Sequence, residues 1–342
     1  MSDQKTKKPK KKKVRFKTRL KRFGHQTLIL ILVEALTLGL TGYIALLIVL
    51  KGPSQTFSDM VVTTMWETRR GRAVINFMFT DEEIQQMLSK NQVISVDASV
   101  SNDDTTEFNI PEDEKDDLEI IDIQGSTYKG KLMIVRDPSR IDLGVNVLMD
   151  DPTQGYSVLD YVQADGAIAG INAGGFDDPN GQGDGSIPQG IVIKDGQLVA
   201  GTETTWGTVA GFNAEHHLIA GDMTGAQALE WGLVDAVTFG PVLVYDGHAL
   251  PITGTGGGIN PRTVIGQRAD GAVLLLVIDG RQPNSLGATY ANCQDLMLQY
   301  GAVVAVNLDG GSSSVMVYNG EIINSIVSMN SDRSVPTAWL VK

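Results

Sequence analysis

The pattern of apolar and polar residues changes along the chain, and each change marks a different kind of segment. Residues 27–50 form an apolar span of 24 residues in which Glu34 is the one charged side chain. From about Glu119 onward, apolar residues occur instead in short runs separated by Gly, Asp and Pro. A long apolar run favours a membrane helix, whereas short runs bounded by turn residues favour strands. The pattern therefore predicts one N-terminal apolar helix followed by a strand-rich domain.

From about Glu119 onward the sequence predicts β-strands interrupted by a few helices. Short apolar runs that predict strands occur at 131–135, 167–171, 190–193, 242–245, 263–265, 273–278, 303–308 and 315–318. Asp-Gly or Asn-Gly pairs, which favour tight turns, occur at 195–196, 246–247, 270–271 and 319–320. Helices are predicted near 224–232 and over 289–300, where Gly301 ends the helix. Because strands outnumber helices, the predicted fold class is α+β, with a strand-rich mixed sheet as the core and flanking helices.

The apolar span is long enough to cross a bilayer. At about 1.5 Å per residue, 24 residues make a helix of roughly 36 Å, against a hydrocarbon core of about 30 Å. A cleaved signal peptide usually has a shorter apolar region and an Ala-x-Ala-like site, which residues 49–53 do not offer. We therefore expect an uncleaved signal anchor. Glu34 has two interpretations: a contact with a membrane partner, or a protonated carboxyl near the inner leaflet.

The charge distribution sets the orientation and the class of partner. Residues 5–22 hold twelve Lys and Arg and no acid, so this end should stay in the cytoplasm, beside anionic lipids. The whole chain carries −12; residues 1–50 carry twelve positive and two negative charges, which leaves −22 for residues 51–342. A domain that acidic will not bind nucleic acid nonspecifically. We expect it to lie outside the cell.

These observations predict four segments. Residues 1–26 are a basic cytoplasmic tail, 27–50 the transmembrane anchor, 51–125 a stalk and acidic linker, and 126–342 a folded domain. Within the linker, Thr80 and Glu83 form a capping box that predicts a short helix, and residues 101–119 predict a mobile acidic loop. The single cysteine, Cys293, excludes an intramolecular disulfide, which fits a Gram-positive cell surface. We expect Cys293 to be a buried apolar residue; a nucleophilic role is the weaker alternative.

Polar residues that could carry chemistry follow the apolar runs. Asn172, Arg262, Asp279 and Asp309 each lie at the end or start of such a run, near glycines. An arginine fork matches phosphate oxygens, and two carboxylates are the usual requirement for cleaving a glycosidic bond. A Gly-Gly-Ser turn presents N–H groups and hydroxyls to an anion. Together these groups suit a substrate that has both a sugar and a phosphate.

Six motifs in a fixed order support a more specific hypothesis. The set INAGGF, GPVLVYDG, NPRTVIG, LLLVIDGR, GATYANCQDLMLQYGAVVAVNLDGGSSSVMVYNG and RSVPTAWLV resembles the phosphodiester glycosidase family, over about residues 130–342. The resemblance implies a phosphodiester glycosidase-like catalytic domain at 126–342. It also implies hydrolysis of a sugar-1-phosphodiester at the anomeric carbon, releasing free sugar and a phosphomonoester. Ser312 departs from the family pattern, which commonly has a third glycine there.

The resemblance places a set of residues in the pocket. From chemical type, Asp309 and Asp279 are expected as the acid/base or nucleophile pair, with Arg262 as a phosphate clamp. Asn172 and Asn307 are expected to bind sugar hydroxyls. The remaining substrate-binding residues carried over are Gly174, Gly175, Gly240, Gly280, Arg281, Gly310, Gly311 and Ser313.

Two other functions stay open. A non-catalytic module that binds glycans or phosphoglycans would use the same fold, although binding alone needs no pair of acids. A metal-dependent phosphodiesterase would cut on the phosphorus side, but the histidines lack ligand spacing. We expect no required cofactor, and no metal ligands are assigned. An acidic pocket could still hold Ca²⁺ or Mg²⁺. The expected partners are a phosphoglycan or sugar-1-phosphodiester and, through residues 27–50, the lipid bilayer.

Overall fold

The computed structural model divides the chain into two compact units. It describes residues 11–95, 108, 110–146, 155–177, 183, 185–327 and 333–342. The first unit is Met1–Ser58 and the second is Asp59–Lys342. The first unit consists mainly of helix α1 (Lys11–Lys51). Its segment Lys21–Lys51 is long and apolar enough to cross a membrane, so the predicted N-terminal apolar helix is confirmed.

The helices after α1 are short and mostly capped by their own sequence. They are α2 (Gln55–Trp66), α3 (Arg69–Met78), α4 (Asp81–Ser89), α5 (Val158–Ala164), α6 (Gly225–Glu230) and α7 (Tyr290–Gln299). Reciprocal capping boxes begin four of them, at Thr80, Ser157, Thr224 and Thr289. The predicted helices near 80, 224 and 289 are therefore confirmed. Gly301, at φ 86°, follows α7 as expected for a helix stop.

The strands of the second unit form three sheets. The first, in the order β1-β2-β13-β12-β14-β10-β11, comprises β1 (Leu118–Gln124), β2 (Lys129–Val135), β10 (Val242–Tyr245), β11 (His248–Ala249), β12 (Arg262–Arg268), β13 (Val273–Ile278) and β14 (Ala302–Leu308). The second, β16-β15-β4-β17-β3, comprises β3 (Ile141–Val145), β4 (Ala169–Asn172), β15 (Met316–Tyr318), β16 (Glu321–Ile322) and β17 (Thr337–Val341). The third, β6-β5-β9-β7-β8, comprises β5 (Val192–Lys194), β6 (Gln197–Ala200), β7 (Trp206–Asn213), β8 (Leu218–Thr224) and β9 (Leu233–Thr238).

The α+β class is confirmed, but the sheet arrangement differs from the expected single mixed sheet. Every strand pair among the described residues of these sheets is antiparallel. Tight turns explain much of this, because they return the chain beside the strand it has just left. At three of the four predicted turns, 195–196, 246–247 and 319–320, both residues have positive φ. The sheets share a core in which the rings of Phe212 and Trp339 pack edge to face, with 5.4 Å between the ring centroids.

Much of the predicted stalk and linker, residues 51–125, belongs to the folded second unit. Residues 59–95 lie in the same compact unit as the strands, and β1 already begins at Leu118. The backbone N–H of Ile259 donates to the hydroxyl of Thr64 at 2.9 Å, and Val93 forms a β-bridge with Ile252. Ile75 and Ile84 are fully buried, because α3 and α4 each have one apolar side that packs inward. Of the predicted acidic loop, residues 101–119, residues 101–107 and 109 lie outside the described residues.

The register of the first sheet brings three strand ends to one edge. β12 runs antiparallel to both β13 and β14, so its first residues lie beside the last residues of its neighbours. Arg262 pairs with Ile278, and Thr263 pairs with Leu308. The residues that follow β13 and β14 are Asp279 and Asp309. The two predicted acids are therefore delivered to the same edge.

Candidate active site

Asp309 opens a tight turn that is fixed on both sides by backbone hydrogen bonds. Its own N–H donates to the carbonyl of Ala173 at 3.1 Å, and the N–H of Gly311 donates to the carbonyl of Pro261 at 3.0 Å. Residues Gly311–Ser313 then make one turn of 3-10 helix. Gly311 has φ 64°, a conformation that an L side chain rarely adopts. The sequence Asp-Gly-Gly-Ser thus encodes a fixed carboxyl at the end of a buried strand.

The Asp309 carboxyl can exist in both protonation states near neutral pH. Burial raises its pKa to about 7, while a hydrogen bond from Ser313 and the charge of Arg333 act in the opposite direction. The charge of Glu67 raises the pKa further. Oδ2 is enclosed and has no hydrogen-bond partner in the described part of the chain. An acid with these properties is suited to proton transfer at physiological pH.

Two arginines flank this turn. Arg281 has φ 56° and donates from Nη2 to Oδ1 of the buried Asn260 at 3.1 Å. A Cβ added at Gly311 would lie 3.1 Å from Nη1 of Arg281, so the glycine leaves room for the guanidinium. Burial lowers the pKa of Arg281, although the charges of Glu67 and Asp309 favour the cation. An arginine held beside an open turn can receive an anion.

Arg333 approaches the turn from the segment that leads into β17. It donates from Nη1 to the hydroxyl of Ser312 at 3.2 Å and from Nη2 to the carbonyl of Gly183 at 2.6 Å. Its guanidinium carbon lies 4.2 Å from the centroid of the Phe176 ring. These contacts fix the positive charge near Asp309, where it stabilises the carboxylate form.

Asp279, the second predicted acid, is buried and already hydrogen-bonded. Its Oδ1 accepts from the N–H of Ser325 at 2.9 Å and from Nδ2 of Asn324 at 3.2 Å. Burial raises the pKa of Asp279, and these hydrogen bonds oppose the shift. Asn324 also donates to the carbonyl of Ser314, at 3.1 Å. The structure therefore connects Asp279 to the Asp309 turn through one amide.

Arg262 does not have the surroundings expected of a phosphate clamp. It is 2% exposed, and its Nη2 donates to the carbonyls of Gly257 and Gly258, at 2.8 and 3.1 Å. Its guanidinium also stacks on the ring of Tyr290, with 4.1 Å between the guanidinium carbon and the centroid. The donors are occupied because the loop before β12 folds back over the side chain. Arg281 and Arg333 are instead the arginines that lie beside the Asp309 turn.

The two asparagines expected to bind sugar are also enclosed. Asn172 is fully buried, and its amide donates to the carbonyl of Asp309 and accepts from the hydroxyl of Thr263. Asn307 is 1% exposed and donates to the carbonyls of Gly240 and Leu308. Both face the protein interior because β4 and β14 are covered on that side. Their observed contacts hold the Asp309 segment in place, while Oδ1 of Asn307 is buried without a hydrogen-bond partner among the described residues.

Most of the predicted glycines serve close packing. A Cβ would come within 3.1 Å or less of another residue at Gly174 (Val237), Gly175 (Phe239), Gly240 (Thr208), Gly280 (Pro261) and Gly310 (Pro261). Of the predicted set, the structure brings Asp309, Arg281, Gly311 and Ser313 together, with Asp279 close by. Those residues form the candidate site.

Arg333, Asn260 and Glu67 were not among the residues predicted from the sequence. Arg333 begins the motif RSVPTAWLV and Asn260 begins NPRTVIG, so both lie in motifs that carried the resemblance. Glu67 lies in the segment assigned to the stalk, where no motif pointed to it. Its charge acts on Asp309, Arg281 and Tyr290.

Within the described residues, no group of three or more His, Cys, Asp or Glu side chains is placed to hold a metal ion. The Ca²⁺ or Mg²⁺ expectation stays a prediction. Cys293 is fully buried, and burial raises the pKa of its thiol to about 12, as expected for an apolar core residue.

Comparisons with known proteins identify relatives of the chain and of its fold. The chain is 26% identical over 266 residues to the SPbeta prophage-derived uncharacterized protein YomE of Bacillus subtilis, a match that covers 72% of this chain. The chain spans only 38% of the length of that curated relative. The fold is similar to the zebrafish N-acetylglucosamine-1-phosphodiester alpha-N-acetylglucosaminidase catalytic domain auto-inhibited by its pro-peptide. That match has a TM-score of 0.58 and 19% identity, and covers 74% of this chain and 94% of the zebrafish domain.

The family model decides the assignment. The phosphodiester glycosidase model matches residues 165–342, which is more than half of the chain. The matched range contains Asp279, Arg281, Asp309 and Arg333. This chain therefore belongs to the phosphodiester glycosidase family.

Proposed function

We propose that this protein is a membrane-anchored extracellular glycosidase that hydrolyses sugar-1-phosphodiester bonds in cell-surface glycopolymers or exopolysaccharide. The observation that carries the proposal is the Asp309 carboxyl, with a pKa near 7, beside Arg281 and Arg333. A substrate with a sugar and a phosphate needs a proton-transfer group and positive charge in one place. Membership of the phosphodiester glycosidase family supports the same reaction class.

The reaction forms a bond between a water oxygen and the anomeric carbon and breaks the bond from that carbon to the phosphate oxygen. The electron pair of the broken bond stays on the phosphate, and the water loses a proton. Two guanidinium groups can neutralise the charge that develops on the leaving phosphate. The reaction also requires a base that accepts the proton from the attacking water. A carboxylate with a raised pKa is a stronger base than an ordinary one, so we assign this role to Asp309.

Asp279 has a supporting role in this scheme. Its carboxylate lies behind the 311–314 turn and is bound by Asn324 and Ser325. We propose that its negative charge stabilises the positive character that the sugar ring acquires as the bond breaks. In this scheme Asp309 transfers the proton and Asp279 acts through its charge.

The location proposal rests on the apolar helix and the charge asymmetry. Lys21–Lys51 could cross the membrane, and the basic end before it favours a cytoplasmic N-terminus. The domain after it would then meet glycopolymers outside the cell. Protease added to intact cells should degrade the domain. If the orientation is reversed, the protease will degrade the domain only after the cells have been opened. Glu34 remains a proposed contact for a membrane partner.

Hydrolysis in ¹⁸O-labelled water tests the reaction directly. Full-length protein in lipid nanodiscs would be given the methyl phosphodiester of N-acetyl-α-glucosamine 1-phosphate. The proposal predicts that ¹⁸O appears in the released sugar and that methyl phosphate is the second product. Label in the phosphate would instead identify a phosphodiesterase. Binding without any turnover would identify a non-catalytic glycan-binding protein.

A further inference from the structure

A cavity of about 260 Å³ lies next to the candidate site, inside the second compact unit, between residues 63–93 and the strand-rich part. Glu67, Leu88 and Val93 line one side, while Pro241, Gly257 and Tyr290 line the other. All of these residues belong to the second compact unit. The cavity is smaller than the roughly 300–1,000 Å³ of sites for drug-sized ligands, so it suits one sugar ring.

Glu67 is held at this cavity by a tight corner between α2 and α3. The N–H of Thr68 donates to the carbonyl of Met65 at 3.0 Å, and its hydroxyl caps α3 by accepting from the N–H of Gly71. Nε of Arg72 donates to the carbonyl of Trp66 at 2.7 Å. The backbone on either side of Glu67 is therefore fixed. Its side chain is exposed and makes no ion pair with any other residue that the structure describes.

Helix α2, which ends just before Glu67, is bound to the loop that builds the site. The hydroxyls of Thr63 and Thr255 lie 3.2 Å apart, and the N–H of Ile259 donates to the hydroxyl of Thr64. That loop continues into Asn260, whose Oδ1 binds Arg281. The corner at Glu67 is thus placed by contacts to the same loop that positions Arg281.

The wall opposite Glu67 is continuous with the Asp309 segment. The carbonyl of Pro241 accepts from the N–H of Asn307 at 2.9 Å, two residues before Asp309. Tyr290 stacks on Arg262, which in turn binds the carbonyl of Gly257. The charge of Glu67 acts on both Asp309 and Arg281. The cavity wall at Pro241 is therefore hydrogen-bonded to the strand that ends just before Asp309.

We propose that this cavity is the sugar subsite and that Glu67 binds hydroxyl groups of the sugar. The inference rests on the proposed function and deepens it. A sugar ring has a C–H face, which the apolar side chains of Leu88, Val93 and Pro241 can cover. It also has a hydroxyl edge, for which a carboxylate is a strong acceptor. The phosphate would then extend toward Arg281, which leaves the anomeric carbon near Asp309.

The test separates sugar binding from phosphate binding. Isothermal calorimetry on the full-length protein in nanodiscs would measure N-acetylglucosamine, glucose and galactose separately, and methyl phosphate in a further titration. Glu67→Gln should weaken binding of the preferred sugar about tenfold or more, as expected for the loss of a charged hydrogen bond. It should leave methyl phosphate binding unchanged or slightly tighter, because a negative charge near Arg281 is removed. Glu67→Asp should recover part of the sugar affinity.

Glu82→Gln is the matched control, because Glu82 is an exposed acid on α4 that does not line the cavity. It should change neither titration. An unchanged sugar affinity in Glu67→Gln, or a wild-type protein that binds none of the three sugars, would overturn the subsite. Sugar binding that depends on Glu67 without any hydrolysis would support the subsite and overturn the proposed function. Hydrolysis whose KM is unaffected by Glu67→Gln would support the proposed function and overturn the subsite.

Discussion

The side-chain amide of Asn172 donates to the backbone carbonyl of Asp309 across 2.6 Å, although 137 positions separate the two residues. The other end of the amide accepts from the hydroxyl of Thr263 at 2.8 Å and from the N–H of Val315 at 3.2 Å. One buried side chain therefore joins the end of β4, the start of β12 and both ends of the Asp309 turn. A turn held in this way is pre-organised, as a catalytic carboxyl requires.

Replacement of Asn172 by Ala should therefore destabilise the protein and reduce its activity together. The substitution leaves a buried carbonyl, hydroxyl and N–H without their partner, which should cost about 3 kcal/mol of unfolding free energy. Urea unfolding followed by circular dichroism measures this change. Asn284→Ala is the control, because Asn284 is exposed, and its effect should stay within about 0.5 kcal/mol. Equal stability of the two variants would show that the amide is not a structural clamp.

The two arginines near the site should behave differently when replaced. Arg281→Lys keeps the charge but loses the planar fork, so it should lower kcat/KM by about tenfold or more with little change in Tm. Arg262→Lys should instead lower Tm by several degrees, because contacts to Gly257, Gly258 and Tyr290 are lost. Steady-state kinetics and thermal unfolding of both variants separate the roles. A normal Tm with lost phosphate affinity in Arg262→Lys would restore the phosphate-clamp expectation for Arg262.

Gly311 and Gly166 offer a matched pair for the space that Arg281 needs. Their φ values are 64° and 61°, but only at Gly311 would a Cβ meet another residue, Nη1 of Arg281 at 3.1 Å. Alanine at either position should cost about 1–2 kcal/mol of stability from the backbone conformation. Gly311→Ala should in addition reduce kcat/KM, because the guanidinium must move. Comparable activity in both variants would mean that Arg281 does not need this position.

The raised pKa of Asp309 predicts a particular dependence of stability on pH. The folded state holds this proton up to about pH 7, against an ordinary pKa of 3.8, so it binds the proton more tightly than the unfolded state. The stability linked to this group is therefore fully present below about pH 4 and is lost as pH rises through 7. Asp309→Asn should be more stable than the wild type at pH 8, by at most about 4 kcal/mol. The difference should vanish near pH 4; an unchanged difference across this range would contradict the raised pKa.

The same pKa gives the activity of the wild type the opposite trend. If Asp309 is the base, kcat/KM should rise with pH and level off above about 7, because only the ionised form accepts a proton. Initial rates between pH 5 and 9, at substrate concentrations well below KM, measure this profile. A profile that falls through pH 7 would identify Asp309 as a proton donor to the leaving group.

The sequence predicted the local elements well because their signals are local. Hairpin pairs such as Asn319-Gly320 and the capping box of Thr80 with Glu83 act within a few residues. The division into three sheets was not predicted, since strand pairing joins residues far apart, as in β4 with β17. No periodicity along the chain encodes that partner choice.

The candidate site was predicted by residue type but only partly by role. Asp309 and Arg281 stand out in the sequence and lie together in the structure. Arg262 and Asn172 have the same chemistry, yet burial turns their polar atoms toward the backbone. Glu67 was missed because it reaches the site through the packing of α2 and α3, which composition alone assigned to a stalk.

The central claim is that Asp309 transfers the proton in cleavage of a sugar-1-phosphodiester. The most direct measurement is the initial rate of sugar release from the methyl phosphodiester of N-acetyl-α-glucosamine 1-phosphate at pH 8 by the wild type and by Asp309→Asn. We predict that the variant folds with at least wild-type stability and loses about 10²–10⁴-fold in kcat. Full turnover by a folded Asp309→Asn variant would contradict the account.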